Sequence, residues 1–130
     1  MKQEDKELLL KDLCARLPYG LKAVLKQTNC HNSTKHKVSE KDIYSFRTGR
    51  PLEEDYGQHD YYKVIVTDIK PYLFPLSSMT DEQKKDLTKF VANGIMGENI
   101  VYDWYNKKHF DYRGLIPMGL AINATNLNIY

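Results

Sequence analysis

Tyr61-Tyr62-Lys63-Val64-Ile65-Val66-Thr67-Asp68-Ile69 is the stretch on which the fold turns. All but Lys63 and Asp68 are aromatic or β-branched, the composition of a strand, and apolar residues on both faces predict a central place in a sheet. Residues 21–27 put Leu21, Ala23 and Leu25 on one side and Lys22, Val24 and Lys26 on the other, which predicts a second strand. A third is expected over 38–46, with Tyr44 and Phe46 on one face. The polar residues 28–37, with Asn29, Asn32 and Ser33, then form the long tip of a hairpin. Gly49, Pro51, Gly57 and the acids Glu53, Glu54, Asp55 and Asp60 make residues 47–60 an exposed connection. Pro71 and Pro75 cannot donate to a ladder, so the segment they bracket is expected to leave the sheet.

Helices flank this sheet. Over residues 2–17, Leu10, Leu13, Cys14 and Leu17 fall on one helical stripe widened by Leu9, while Lys6, Glu7, Lys11 and Asp12 mark the wet side, and Pro18-Tyr19-Gly20 ends the helix. Thr80-Asp81-Glu82-Gln83 has the spacing of a capping box and opens a helix that runs to Gly94. Ile100, Val101, Trp104 and Tyr105 define another over 98–108, and residues 111–130 read as irregular chain laid over the core. The expected class is therefore α+β: a small antiparallel sheet of about three strands packed against an N-terminal helix and two C-terminal helices. Trp104, Phe90, Leu13 and Val66 are expected to meet in one core.

With 130 residues and 42% hydrophobic content, the chain has material for one core, hence one domain. Lys2, Gln3, Glu4, Asp5 and Lys6 follow Met1 where a signal peptide would be apolar, and no run is long enough to span a bilayer, so the expectation is a cytoplasmic protein with no membrane partner. Cys14 and Cys30 are too few for a disulfide scaffold. A net charge of +2 does not by itself argue for a nucleic-acid partner. Its distribution is uneven: Lys22, Lys26, Lys35, Lys37, Lys41, Arg47 and Arg50 are opposed over that stretch only by Glu40 and Asp42.

Three segments carry a resemblance. They are Leu13-Cys14-Ala15-Arg16-Leu17-Pro18-Tyr19-Gly20, residues 70–80 from Lys70-Pro71-Tyr72 to Met79-Thr80, and residues 103–116 from Asp103-Trp104-Tyr105 to Leu115-Ile116, with Gly119-Leu120-Ala121 beyond. Together they resemble a group of small uncharacterised proteins of gut Bacteroidetes and their phages and mobile elements. Tyr105 and Pro117 depart from that pattern. The resemblance implies a bacterial or phage origin and brings no activity, cofactor or catalytic residue.

Four polar residues follow the last helix. His109, Asp111, Tyr112 and Arg113 supply an imidazole, a carboxylate, a phenol and a guanidinium, the parts of an acid/base or anion site. The plainer reading is structural, with His109 complementing helix carbonyls, Asp111 capping amides of a turn and Arg113 pairing with an acid. Cys30, His31 and His36 are donors suited to zinc, but three local ligands do not close a tetrahedral site, so no metal is expected. Lys35, Lys37, Lys41, Tyr44, Arg47 and Arg50 form the one basic and aromatic segment suited to phosphates and bases, although lysines on a hairpin also protect a sheet edge. The sequence lacks a phosphate loop, GxGxxG, GxSxG, HExxH and CxxC, and calls for no cofactor. What remains is a protein-interaction or accessory module, with two alternatives: a nucleic-acid-associated accessory protein of a phage or mobile element, or an enzyme using His109, Asp111 and Arg113.

Overall fold

The structure, a computed structural model, describes residues 2–27, 33–55, 61–93 and 98–130. Among these residues four helices, α1 (Gln3–Arg16), α2 (Glu40–Thr48), α3 (Asp81–Asn93) and α4 (Glu98–Lys107), accompany seven strands. These are β1 (Lys22–Gln27), β2 (Ser33–Lys37), β3 (Leu52–Asp55), β4 (Tyr61–Val64), β5 (Val66–Pro75), β6 (Phe110–Asp111) and β7 (Ile122–Asn123). The main sheet runs β2-β1-β5-β6, with β7 also on β5, while β3 and β4 form a separate hairpin. Strands β2, β1 and β5 are antiparallel, and the two-residue strands β6 and β7 join β5 in parallel. The α+β class stands, with a sheet that is larger and mixed. Among the described residues no helix is long and apolar enough to cross a membrane.

Two expected strands are corrected. The segment from Glu40 to Thr48 is helix, because Ser39 and Asp42 form a capping box: the Ser39 hydroxyl accepts the Asp42 N–H and the Asp42 carboxylate accepts the Ser39 N–H at 2.9 Å. Its buried residues, Asp42, Ser45 and Phe46, follow the helical period, and two of the three are polar, which hid the stripe. Gly49 closes the helix in the left-handed conformation. The strand is instead β2, which takes up the second half of the expected loop 28–37.

The run 61–69 is broken at Ile65, so that β4 pairs with β3 and β5 with β1. Strand β3 itself crosses the expected connection 47–60. The Ser45 hydroxyl accepts the Val66 N–H at 2.8 Å where β5 begins, tying α2 to the strand that the break releases. Nor do the prolines divert β5. Pro71 lies opposite Ala23 within the β1–β5 pair, at a point where β5 has no registered partner on its other side, and Pro75 is the last residue of the strand.

Period-two alternation gives the sheet two apolar faces. Leu25, Ile69 and Leu73 join Leu9 and Leu13 of α1, Phe46 of α2, and Leu115 and Leu120 in the larger core. On the other face Tyr72 packs with Ala124 and Ile129 from the tail, against Val24 and Phe74. The four-residue core does not form as expected. Leu13 and Val66 share the larger cluster, Trp104 is buried in a parallel stack on Phe110 at 5.7 Å, and Phe90 is exposed. The face of α1 is also rotated: Leu9, Asp12, Leu13 and Arg16 are buried and Cys14 is exposed. The Thr80–Gln83 capping box forms as expected, with reciprocal bonds of 2.9 and 3.1 Å.

Burial raises the Asp42 carboxyl, but bonds from His36 and Ser39 outweigh it and leave the group below its ordinary 3.8. A carboxyl depressed in the folded state stabilises above its unfolded value and loses that contribution as pH falls through and below 3.8. Asp42→Asn is expected to flatten this acid limb in denaturant melts recorded against pH. Ser39→Ala is expected to cost about 1 kcal/mol at neutral pH; no change in either variant would mean that the cap does not hold α2.

Candidate functional site

The site grows from α1. Asp12 and Arg16, one helical turn apart, are both 0% exposed and bonded at 2.9 Å. A buried guanidinium must place all its donors. Arg16 gives Nη2 to the Phe110 carbonyl at 2.6 Å and Nη1 to the Tyr105 carbonyl at 3.5 Å, so the end of α4 and the start of β6 are held against α1. Asp12 has a second partner: Arg113 Nε donates to Oδ1 at 3.1 Å. Two guanidiniums therefore share one carboxylate, and the cluster keeps one excess positive charge.

Each expected site residue has a definite place. His109 follows α4 at φ 64, the left-handed position that usually ends a helix on glycine, and its N–H reaches the Asn106 carbonyl at 3.3 Å. Its ring stacks on Tyr130 at 3.8 Å between centroids. Burial, followed by the charges of Arg16 and Lys22, pushes the imidazole down to about 4, and burial pushes the Tyr130 phenol up to about 12. The Tyr130 hydroxyl donates to the Tyr72 carbonyl and accepts the Lys22 N–H, both at 2.9 Å, so the stack pins the tail to β1 and β5. Asp111 spends both oxygens on the N–H groups of Leu115 and Ile116 at 2.9 Å, holding the turn that passes through Gly114 at φ 76. Tyr112 stacks between Tyr102 at 4.9 Å and Tyr105 at 5.7 Å, and its hydroxyl accepts Arg113 Nη2 at 2.9 Å.

Of the four, Tyr112 and Arg113 open onto a common space, a cleft of about 530 Å3 whose lining also includes Lys11, Tyr102, Asp103 and Asn106. His109 and Asp111 are not in its wall. Asn106 was not singled out in the sequence, yet it is 4% exposed and its Oδ1 has no hydrogen-bond partner. A buried acceptor left open costs about 1–3 kcal/mol. Beyond Asp103 lies a second groove of about 380 Å3 with Tyr19, Phe90 and Trp104 in its lining. Tyr19, Phe90 and Tyr102 are 37%, 44% and 41% exposed, so the α4 face carries aromatic surface on both sides of Asp103.

The basic segment is split between two elements. Lys35 and Lys37 belong to β2, and the side chain of Lys35 lies outside the described residues. Lys41, Tyr44 and Arg47 recur every third residue on α2, where all three are exposed, and Arg50 is exposed just past its end. These residues form a helix face where a hairpin was expected. His36 bonds Asp42 through Nε2 at 2.8 Å, while Cys30, His31 and His59 lie outside the described residues. Among the described residues no group of three or more His, Cys, Asp or Glu side chains could hold a metal ion.

No protein-family model, curated protein or solved structure matches this chain.

A histidine depressed to about 4 stabilises the fold above its ordinary 6.5, and that contribution is lost as pH falls from 6.5 toward 4, because only the unfolded chain takes up the proton there. The loss is on the order of 3 kcal/mol at most. His109→Asn, which keeps a residue tolerant of positive φ, is expected to flatten this part of the stability profile. An NMR titration showing His109 protonated near pH 6.5 would contradict the buried stack.

Proposed function

We propose that the protein is a small binding module that captures a segment of another protein on the α4 face, within the cytoplasm. The observation that carries this reading is the exposed aromatic surface of Tyr19, Phe90 and Tyr102 beside two grooves that meet at Asp103. Large amphipathic rings bury much area at little entropic cost and recur as anchors of protein contacts. The surrounding shell is held rigidly by Arg16, Asp12 and Asp111, so a partner would meet a pre-organised surface. Cys14, free and exposed on α1, suits a reducing compartment.

Selection from a phage-displayed library of random dodecamer peptides tests the reading. Enriched peptides are expected to lose at least about tenfold in affinity on Tyr102→Ser and Phe90→Ser, a loss of about 1.4 kcal/mol each. Both residues lie at the surface outside the buried core, so the variants should melt close to the parent. Failure to enrich any peptide, or peptides indifferent to both substitutions, would count against this reading.

A second reading, a nucleic-acid accessory protein of a phage or mobile element, is supported by Lys41, Tyr44 and Arg47 sharing an exposed face of α2 with Arg50 beyond it. Cations for phosphates and a ring for a base are the parts that single-stranded nucleic acid requires. Three cations predict a log–log salt slope of about −2 for a single-stranded oligonucleotide. Lys41→Glu with Arg47→Glu should abolish that binding, and a slope near zero would remove the reading.

A further inference from the structure

The cleft beneath Tyr102 has a composition that selects a ligand. Its wall carries cations from two directions, Lys11 on α1 and Arg113 on the turn after β6. Arg113 is only half-neutralised, since its one acidic partner among the described residues, Asp12, is already bonded to Arg16. At the same wall lies Asn106, 4% exposed, with its Oδ1 closed to solvent. A ligand that completes this site brings one negative group for the cations. Resting on the protein-binding reading above, we propose that the cleft receives an acidic side chain of a partner's exposed segment, its carboxylate on Lys11 and Arg113.

Charge favours a peptide over a nucleic acid here. Asp103 lines both this cleft and the neighbouring groove, and there Asp103 and Asp86 offset Lys107 and Lys108, so a chain of phosphates leaving the cations would find no net positive charge to follow. A peptide places a single negative charge and continues as neutral backbone. Its next apolar side chain then has the groove at Phe90 and Trp104 to enter. About 530 Å3 accommodates one side chain with its flanking peptide groups, within the ordinary range of ligand sites. Tyr102, stacked on Tyr112 at 4.9 Å and 41% exposed, covers the stem of that side chain.

The test uses two degenerate heptapeptide mixtures, acetylated and amidated, identical but for a central Glu or a central Gln, titrated into the 15N-labelled full chain. The Asn106 side-chain amide and Arg113 Nε signals are expected to respond to the Glu mixture at least about fivefold more strongly than to the Gln mixture. Lys11→Glu, a change at an exposed position, is expected to weaken the response about tenfold. Equal responses to the two mixtures would overturn the acidic preference while leaving peptide binding on this face standing. A response at Asn106 to adenosine monophosphate or inorganic phosphate but to neither peptide mixture would overturn the peptide and keep only an anion. If library-selected peptides shift signals of other surfaces and never Asn106, the site assignment falls.

Discussion

One buried carboxylate sets the positions of the parts. Asp12 is fully enclosed and lies between two guanidiniums, Arg16 from its own helix and Arg113 from the far end of the chain. Neither charge can be left unpaired in a dry interior, so the arrangement of everything around them is dictated by where donors find acceptors. Arg16 takes the Tyr105 and Phe110 carbonyls, which fixes the exit of α4 and the start of β6. Beta pairing of Phe110 with Phe74 then registers that exit on the sheet, and Asp111 folds the following turn so that Arg113 comes back to Asp12. The cleft is a by-product of this closure. Its cations, its aromatic wall and its unpartnered amide are all attached to the elements the network binds together.

The same constraint explains how far the sequence could be read. Patterns governed by neighbours were legible: the helices at α1, α3 and α4, the Thr80–Gln83 cap, the strand β1 and the α+β class all rest on periodicity or capping within a few residues. Asp12 and Arg16 broke the pattern because they are charged yet face inward, which shifted the apparent apolar stripe toward Cys14. Helix α2 was obscured in the same way, with Asp42 and Ser45 buried where apolar residues would have revealed a helix. Strand β5 passes through Pro71 because only its pairing partner decides whether an N–H is missed there. At Asp12 and Pro71 a long-range partner outweighed local preference, whereas the Ser39–Asp42 cap of α2 is a local signal that the strand reading of 38–46 passed over.

The site was legible in its turn and not in its cleft. The structural roles of Asp111 and Arg113 follow from a polar turn after a helix, and the fold supplies them with amides and an acid. His109 serves as a neutral stacking platform for Tyr130, a role that a ring followed by a distant tyrosine does not announce. Lys11 and Asn106 are 95 residues apart in the chain and share a wall only because α1 and α4 are clamped at Asp12. Asn106 lies on α4 amid residues that read as an ordinary helix face, and its open Oδ1 exists only in the folded chain. Arg113 thus belongs both to the network that holds the fold, through Nε, and to the wall of the cleft.

Equilibrium denaturation of Asp12→Asn is the most direct measurement of this dependence. The substitution keeps size and shape but strips the charge that two buried or half-buried guanidiniums share. A loss of about 3 kcal/mol or more, with the amide-exchange protection of α1 and of residues 110–123 falling together, is the expected result. A loss below about 1 kcal/mol, or protection lost in α1 alone, would show that the apolar core holds the two ends of the chain together without the shared carboxylate.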